Sequence, residues 1–301
     1  MDAAKKVEAS YISMIMPARW YAGGRGLDKF RDKMLSDTRI SNITDYPDST
    51  ECFPGVDISG GICYFLWDKQ YKGNCTIVSR KKNKISTAKR PLLEEGMDTF
   101  IRHNEALPVF HKVQERKEKS FDFLVSPQTP FGFISSFSGY KKDNFEGAIK
   151  YYSYGKNGYV SYSQIKRNAE WAQMHKVYLS AAYGERGSYP YFFLGKPFYG
   201  EVNSCCSQTY LMIGPFETKK ICDNVIAYMS TRFFRFMIML KKNAQHNMRN
   251  VFTAVPLQDF TENSDIDWSK SIPEIDKQLY AKYNLTEEEI SFIESMIKPM
   301  E

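Results

Sequence analysis

The stretch YISMIMPARWYAGGRGLDKFRDKML, residues 11–35, decides the fold of the N-terminal part of this chain. It opens on a short apolar run that Pro17 closes, since proline cannot donate to a strand ladder, so a strand is predicted over 11–16. Gly23, Gly24 and Gly26 then supply a loop. Leu27, Phe30 and Met34 fall on one face of a helix over 27–35. Strand, loop and helix in this order begin an α/β unit. The glycine spacing does not fit the phosphate-cradling pattern Gly-x-x-x-x-Gly-Lys-Ser/Thr, so these glycines read as a turn.

Outward from this unit, residues 2–8 read as the end of a helix, and 40–45 as a second strand. Residues 58–67 and 75–78 read as a third and fourth, joined as a hairpin through Lys72, Gly73 and Asn74. From Arg80 to Arg90 there are six basic residues (Arg80, Lys81, Lys82, Lys84, Lys89, Arg90) and no acidic one. A solvated linker is the ordinary reading of such a run. A phosphate-contacting segment between two domains is the sharper one, and its binding would be salt-dependent. Residues 92–107 have helical spacing, with Met97, Phe100 and Ile101 inside.

From 121 to 215 the chain is rich in Tyr, Phe, Gly and Ser, with β-like runs at 121–125, 131–137, 176–180, 191–194 and 209–213 and a helix expected over 163–174. This predicts an irregular α+β domain whose long loops carry binding function. Here Lys141, Lys142, Lys150, Lys156, Lys166 and Arg167 lie among Tyr140, Tyr151, Tyr152, Tyr154, Tyr159 and Tyr162. Taken singly they are a soluble surface. As a group they suit a DNA-facing one, with Gln164, Asn168 and Gln173 as possible base readers. Tyr183, Gly184, Glu185, Arg186 and Gly187 form a loop tip able to enter a groove, with a plain loop as the default. Residues 218–242 form the clearest helix, and Thr286 with Glu289 match a capping box. That helix start explains the acidic Glu287, Glu288 and Glu289 without chemistry.

Composition narrows the classes. Hydrophobic residues are 43% and charged residues 25% of 301, as in an ordinary globular chain, and the net charge of +6 permits an anionic partner without demanding one. The six cysteines form no CxxC pair and no zinc spacing, and no Gly-x-Ser-x-Gly nucleophile turn occurs. No secretory leader is expected, since residues 1–10 are polar and the apolar stretch at 12–16 is short, and the longest later apolar run, interrupted by Arg235, is too short to span a bilayer. The expected setting is the cytoplasm, with buried or incidental thiols.

Three segments carry a family resemblance. They are 11–35 as quoted; ITDYPDSTEC followed by FPGVDISGGICYFLW, ending at Trp67; and the tail, with TYLMIGPFETKK, YMSTRFFRFMIMLKKN, VPLQDF, DKQLYAKYNLTEEEISFIE and IKPM. Their order resembles the C-terminal part of type II restriction-modification N6-adenine DNA methyltransferases. The phrase HKVYLSAAYG adds to the match in the middle of the chain. The resemblance implies an α/β, partial Rossmann-like methyltransferase segment over 1–80. An irregular α+β target-recognition domain with C-terminal helices would follow over 81–301.

It also implies S-adenosyl-L-methionine as cofactor of the complete enzyme and double-stranded DNA as partner. The family's glycine-rich cofactor loop and its Asn/Asp-Pro-Pro-Tyr/Phe motif are not found, and the chain has no Pro-Pro pair. The chain alone is therefore expected to be inactive and to act with an N-terminal catalytic half or a separate catalytic subunit. By the same resemblance Phe53 closes one side of the pocket for the extruded adenine; packing as core is the competing role. The residues expected to touch DNA are Lys81, Lys82, Lys84, Lys89, Arg90, Lys141, Lys142, Lys156, Lys166 and Arg167. The other readings are a stand-alone DNA specificity subunit and an unrelated small-substrate enzyme, which would show a pocket with strongly shifted titratable groups.

Overall fold

The computed structural model describes residues 2–21, 26–58, 60–81, 84–184, 189–242 and 246–300. Its chain divides into two compact units, Met1–His111 and Lys112–Glu301. Gly23, Gly24, Lys82, Glu185, Arg186 and Gly187 lie outside the described residues. No described helix is long and apolar enough to cross a membrane.

The first unit holds α1 (Asp2–Lys6), β1 (Tyr11–Pro17), α2 (Asp28–Leu35), β2 (Ile40–Tyr46), β3 (Ile62–Asp68), β4 (Cys75–Lys81) and β5 (Lys84–Arg90). The strands form one sheet in the order β1-β3-β2-β4-β5. β3 runs antiparallel to both β1 and β2, β2 pairs parallel with β4, and β5 closes an antiparallel hairpin on β4. Alternation along the strands makes one face apolar and buried. Ile12, Ile43, Phe65, Trp67 and Ile77 build it, with Trp20, Met34, Leu35 and Phe100 against them. Full burial is worth roughly 1.5–3 kcal/mol for each such large apolar side chain. On β1, Tyr11 and Ile15 point the other way, and Ile15 stands opposite Tyr64 of β3.

Three sequence expectations change here. The third and fourth strands are not a hairpin: β2 lies between them, and β4 takes the far edge of β2. The basic run is no linker either, because its two halves pair as β4 and β5. Residues 92–107 stay non-helical until the 3-10 turn Asn104–Ala106, which leads into α3 (Leu107–Glu115). Pro91 precedes this stretch and Gly96 takes a left-handed φ of 81°, which an α-helix cannot accommodate. Met97, Phe100 and Ile101 are buried all the same.

The second unit has two three-stranded sheets. One orders β6 (Ala148–Tyr152), β7 (Gly158–Ser161) and β10 (Ser204–Cys206) as β10-β6-β7, and the other orders β8 (His175–Ser180), β9 (Phe198–Gly200) and β11 (Tyr210–Phe216) as β11-β8-β9. Residues 131–137 and 191–194 contribute single bridges rather than strands, and 121–125 a 3-10 turn. The helix expected over 163–174 is two 3-10 turns, separated at Asn168 with φ 47°. The long helix becomes α4 (Lys219–Ser230) and α5 (Arg232–Lys241), broken at Thr231, which caps α5 by accepting from the Phe234 N–H. α6 (Ile272–Lys282) and α7 (Glu287–Met296) complete the unit, and α7 starts with the expected Thr286–Glu289 capping box.

Buried cations hold this irregular unit together. The Lys176 ammonium reaches the carbonyls of Ala172 (3.1 Å), Glu201 (2.9 Å) and Ser204 (3.1 Å). Arg235, fully buried on α5, donates to the carbonyls of Ser230, Thr231, Phe192 and Lys298. Asp276 of α6 accepts from the Arg232 and Phe233 N–H groups, both at 2.9 Å, and so caps the start of α5.

One buried group sets an acid limit. Burial, aided by the charges of Arg102 and Lys81, pushes His103 down to about 3. The folded state keeps this imidazole neutral while the unfolded chain protonates it below about 6.5. Its contribution to stability is therefore present above pH 6.5 and is lost as pH falls toward 3. The loss should approach ~1.4 kcal/mol per pH unit across that window. Urea denaturation at pH 7 and pH 5 should show a smaller pH effect in His103→Asn than in the unaltered chain; equal pH effects would remove His103 as the cause.

Candidate nucleic-acid interface

In the first unit the loop that carries Phe53 begins where β2 ends, beside the end of β1. Pro17 and Tyr46 both stand opposite Ile62, the first residue of β3, so the carboxyl ends of β1 and β2 flank the entry to β3. Ligands of open α/β sheets bind at carboxyl strand ends. The chain leaves β2 through a loop knotted on Ser49. The Ser49 hydroxyl donates to the Val56 carbonyl and accepts from the Ile58 N–H, both at 2.8 Å. The Ser49 carbonyl receives the Phe53 N–H at 2.8 Å. Asp48 fixes the start by accepting from the N–H and hydroxyl of Thr50. Within this knot Phe53 is 40% exposed, so it is not core, and Val56 beside it is exposed too.

The loop is anchored from below. Asp45 is fully buried and takes Arg102 Nε at 2.7 Å, Arg102 Nη2 at 2.9 Å and the Tyr21 hydroxyl at 3.1 Å. Arg102 also donates to the Gly60 carbonyl at 2.8 Å, and the Gly61 carbonyl receives the Ala18 N–H. Gly61 sits at φ 74°, and a Cβ there would lie 2.2 Å from the Tyr46 carbonyl oxygen. Only glycine lets the loop close this tightly. The partner of Asp45 thus lies 57 positions away, while Arg19, next to the end of β1, is exposed. Trp20 is buried and donates to the Cys63 sulfur.

The basic candidates divide. Lys84 and Lys89 are exposed on β5, and Lys81 is half-buried at the end of β4. Arg90 leaves the candidate set: it is buried, bonded to Asn104 Oδ1 and Glu94, and stacked over the Phe100 ring. In the second unit Lys141, Lys142, Lys156, Lys166 and Arg167 are all exposed. Lys141 pairs with Tyr159 on the outer edge of β7, and Gln164 donates to the Gly139 carbonyl at 2.8 Å. This brings the 139–142 segment beside the end of β7, two residues before Lys166. The Gln164 and Asn168 amides are already spent, on Gly139 and Ser161 and on the Pro130 carbonyl, so they are no longer first candidates for base reading.

The strongly shifted groups are structural. Burial lowers Lys176 to about 8, and its ammonium is ringed by carbonyls. Burial raises Asp276 to about 6 where it caps α5. The described residues hold no His, Cys, Asp and Glu cluster fit for a metal ion, and all six cysteines are free.

A family model, Eco57I restriction-modification methylase, matches residues 1–53, which hold β1, α2, β2 and the loop up to Phe53. An uncharacterized adenine-specific methylase of Mycoplasma pneumoniae (strain ATCC 29342 / M129 / Subtype 1) is 36% identical over 92 residues, which cover 29% of this chain and 22% of that protein. Among solved structures, the type IIL restriction-modification enzyme MmeI in complex with DNA matches at 9% identity and TM-score 0.49, over 94% of this chain and 49% of its own. The type IIG restriction endonuclease BpuSI matches at 12% identity and TM-score 0.38, over 94% and 46%. The chain thus spans about a fifth of the curated relative and under half of either enzyme. The resemblance to restriction-modification adenine methylases stands on the family and curated matches.

The anchor under the Phe53 loop can be tested directly. Arg102→Met leaves the buried Asp45 carboxylate without its main partner and should destabilise the protein by about 3–5 kcal/mol. Asp45→Asn combined with Arg102→Met should cost clearly less than the two single changes added, as groups in one network do. Chemical denaturation of the three variants measures this, and additive losses would show that the pair does not act as a unit.

Proposed function

We propose, for a chain whose first 53 residues match the restriction-modification methylase family, that it supplies sequence-specific DNA recognition to an N6-adenine DNA methyltransferase. A catalytic part would bring the cofactor loop and the Asn/Asp-Pro-Pro-Tyr/Phe motif. On this reading the first unit is part of a Rossmann-like methyltransferase sheet, and the second recognises duplex DNA.

The observation that carries the proposal is the unfinished edge of the first sheet. Among the described strands β1 is terminal, seven residues long, with no lysine, no bulge against β3 and proline only at its last position, Pro17. Natural edge strands are blunted by charge, bulges or cover, because a bare edge pairs with other chains. Tyr11 and Ile15 on β1 are 66% and 49% exposed, and Tyr64 and Leu66 of β3 are exposed on the same face. A further strand and a covering element supplied by the catalytic part would satisfy both. A separate catalytic subunit and a covalently continuous one fit this edge equally well.

S-adenosyl-L-methionine would provide the methyl group in the complete enzyme. At the ends of β1 and β2, Asp45 is committed to Arg102 and Tyr21, and Ser49 to Val56 and Ile58. None is assigned to the cofactor. This chain's own tasks are to stack the extruded adenine on Phe53 and to hold phosphates through the exposed lysines and Arg167. A small-substrate enzyme is the weaker reading, because Lys176 and Asp276 are spent on backbone groups rather than gathered in a cleft.

Two measurements test this. The purified chain should bind random duplex DNA with an affinity that falls steeply with salt, and Lys141, Lys142, Lys166 and Arg167 changed together to Gln should flatten that dependence by about 3–4 in log–log slope. Absence of salt-sensitive binding by the folded chain, alone and with a catalytic part, would sink the DNA reading. Ile15→Lys should leave the chain folded yet lose co-purification with a co-expressed catalytic part; unchanged co-purification would remove the β1 face as the docking surface.

A further inference from the structure

The turn between β6 and β7, residues 153–157, is built with unusual care for a surface loop. The Tyr154 N–H donates to Thr209 Oγ1 at 3.0 Å. That hydroxyl lies 2.8 Å from the Ser207 hydroxyl, which donates to Ser153 Oγ at 2.9 Å. The Ser207 N–H donates to the Tyr152 carbonyl, and the Lys156 N–H to the Ser153 carbonyl, both at 2.9 Å. Asn157 accepts from the Ser153 N–H, and Gly155 takes φ 69° to let the chain reverse. Ser153 and Ser207 are buried. The turn is therefore bolted to the 207–209 segment through a chain of hydroxyls.

What this fixed turn presents is an aromatic ring left in water. Tyr154 is 76% exposed, among the most exposed large hydrophobic side chains described. Lys156, two positions on, is exposed as well. Holding a backbone still while leaving its largest side chain uncovered gains nothing for the isolated fold. It is the arrangement of a preorganised contact, in which the ordering cost is met before binding. The charge of the surrounding sequence favours an anionic partner: residues 140–170 carry five basic side chains (Lys141, Lys142, Lys156, Lys166, Arg167) besides Lys150, which is paired with Glu201 at 2.8 Å, against three acidic ones (Asp143, Glu146, Glu170).

The geometry points to Tyr154 as a stacking wedge for duplex DNA: its ring unstacks and covers a base while Lys156 holds a neighbouring phosphate. This rests on the DNA-recognition reading and adds the contact through which the second unit grips the duplex. Every base offers a π-face, and proteins that insert side chains between base steps kink the duplex there.

The test uses the full chain and duplex DNA containing 2-aminopurine, whose fluorescence rises when it is unstacked. The unaltered chain and Tyr154→Phe should both bind and raise the signal. Tyr154→Ala should weaken binding roughly tenfold, as expected for a lost aromatic–base stack, with the salt slope unchanged and no fluorescence rise. Lys156→Gln should lower the salt slope by about one with the rise retained. Thermal melts equal to that of the unaltered chain keep the comparison about binding. Binding and fluorescence in Tyr154→Ala equal to the unaltered chain would overturn the wedge while leaving DNA recognition standing. A Tyr154→Phe loss as large as that of Tyr154→Ala would assign the contact to the hydroxyl instead and overturn stacking. No DNA binding by the unaltered chain would remove the reading beneath it as well.

Discussion

The pairing of Asp45 with Arg102 is the constraint on which the first unit's strand ends depend. Asp45 ends a strand that must be buried on one face, and its carboxylate cannot stay there uncompensated. The guanidinium meets it with two hydrogen bonds and passes a third to Gly60. One contact therefore joins the end of β2, the glycine turn before β3 and the segment before α3. The Phe53 loop lies between the first two of these, so its placement follows from the pair rather than from the loop's own residues. Gly61 belongs to the same device, since any side chain there would strike the strand it closes on.

The second unit answers its buried charges with backbone groups: Asp276 takes N–H groups at the start of α5. Lys176 and Arg235 are buried cations satisfied by backbone carbonyls, which irregular chain leaves unpaired in greater numbers than regular sheets do. Their charge is used to gather loose ends. Formal net charge is thus a poor guide to the surface of this protein. Arg90, Lys176 and Arg235 all count toward +6, yet all three are buried.

This explains what the sequence disclosed and what it withheld. The strand over 11–16, the helix over 27–35, the strand over 40–45 and the Thr286–Glu289 cap of α7 were legible because each is set by local periodicity and local hydrogen bonds. The insertion of β3 between β1 and β2 was not, because strand order depends on which edges remain open and no local pattern records it. The failure over 92–107 has the same root. Its apolar spacing was real and its residues are buried, but a left-handed Gly96 bends the chain away from a helix while keeping those side chains inside. For the site, the exposure of Lys84, Lys89, Lys141, Lys142, Lys156 and Lys166 agreed with residue type, whereas the exposure of Phe53 ran against it. Arg90 misled because a basic residue at the inner end of a charged strand looks the same in sequence as its exposed neighbours. Arg102 was missed because its partner lies 57 positions away.

The hydroxyl bolts of the β6–β7 turn have an evolutionary consequence. Ser153, Asn157, Ser207 and Thr209 fix the backbone of the turn, while the outward side chains of Tyr154 and Lys156 are not used to hold it. The outward positions can therefore be exchanged at little cost to the scaffold. A protein built this way can drift from one binding preference to another by single changes at the tip, without passing through unstable intermediates.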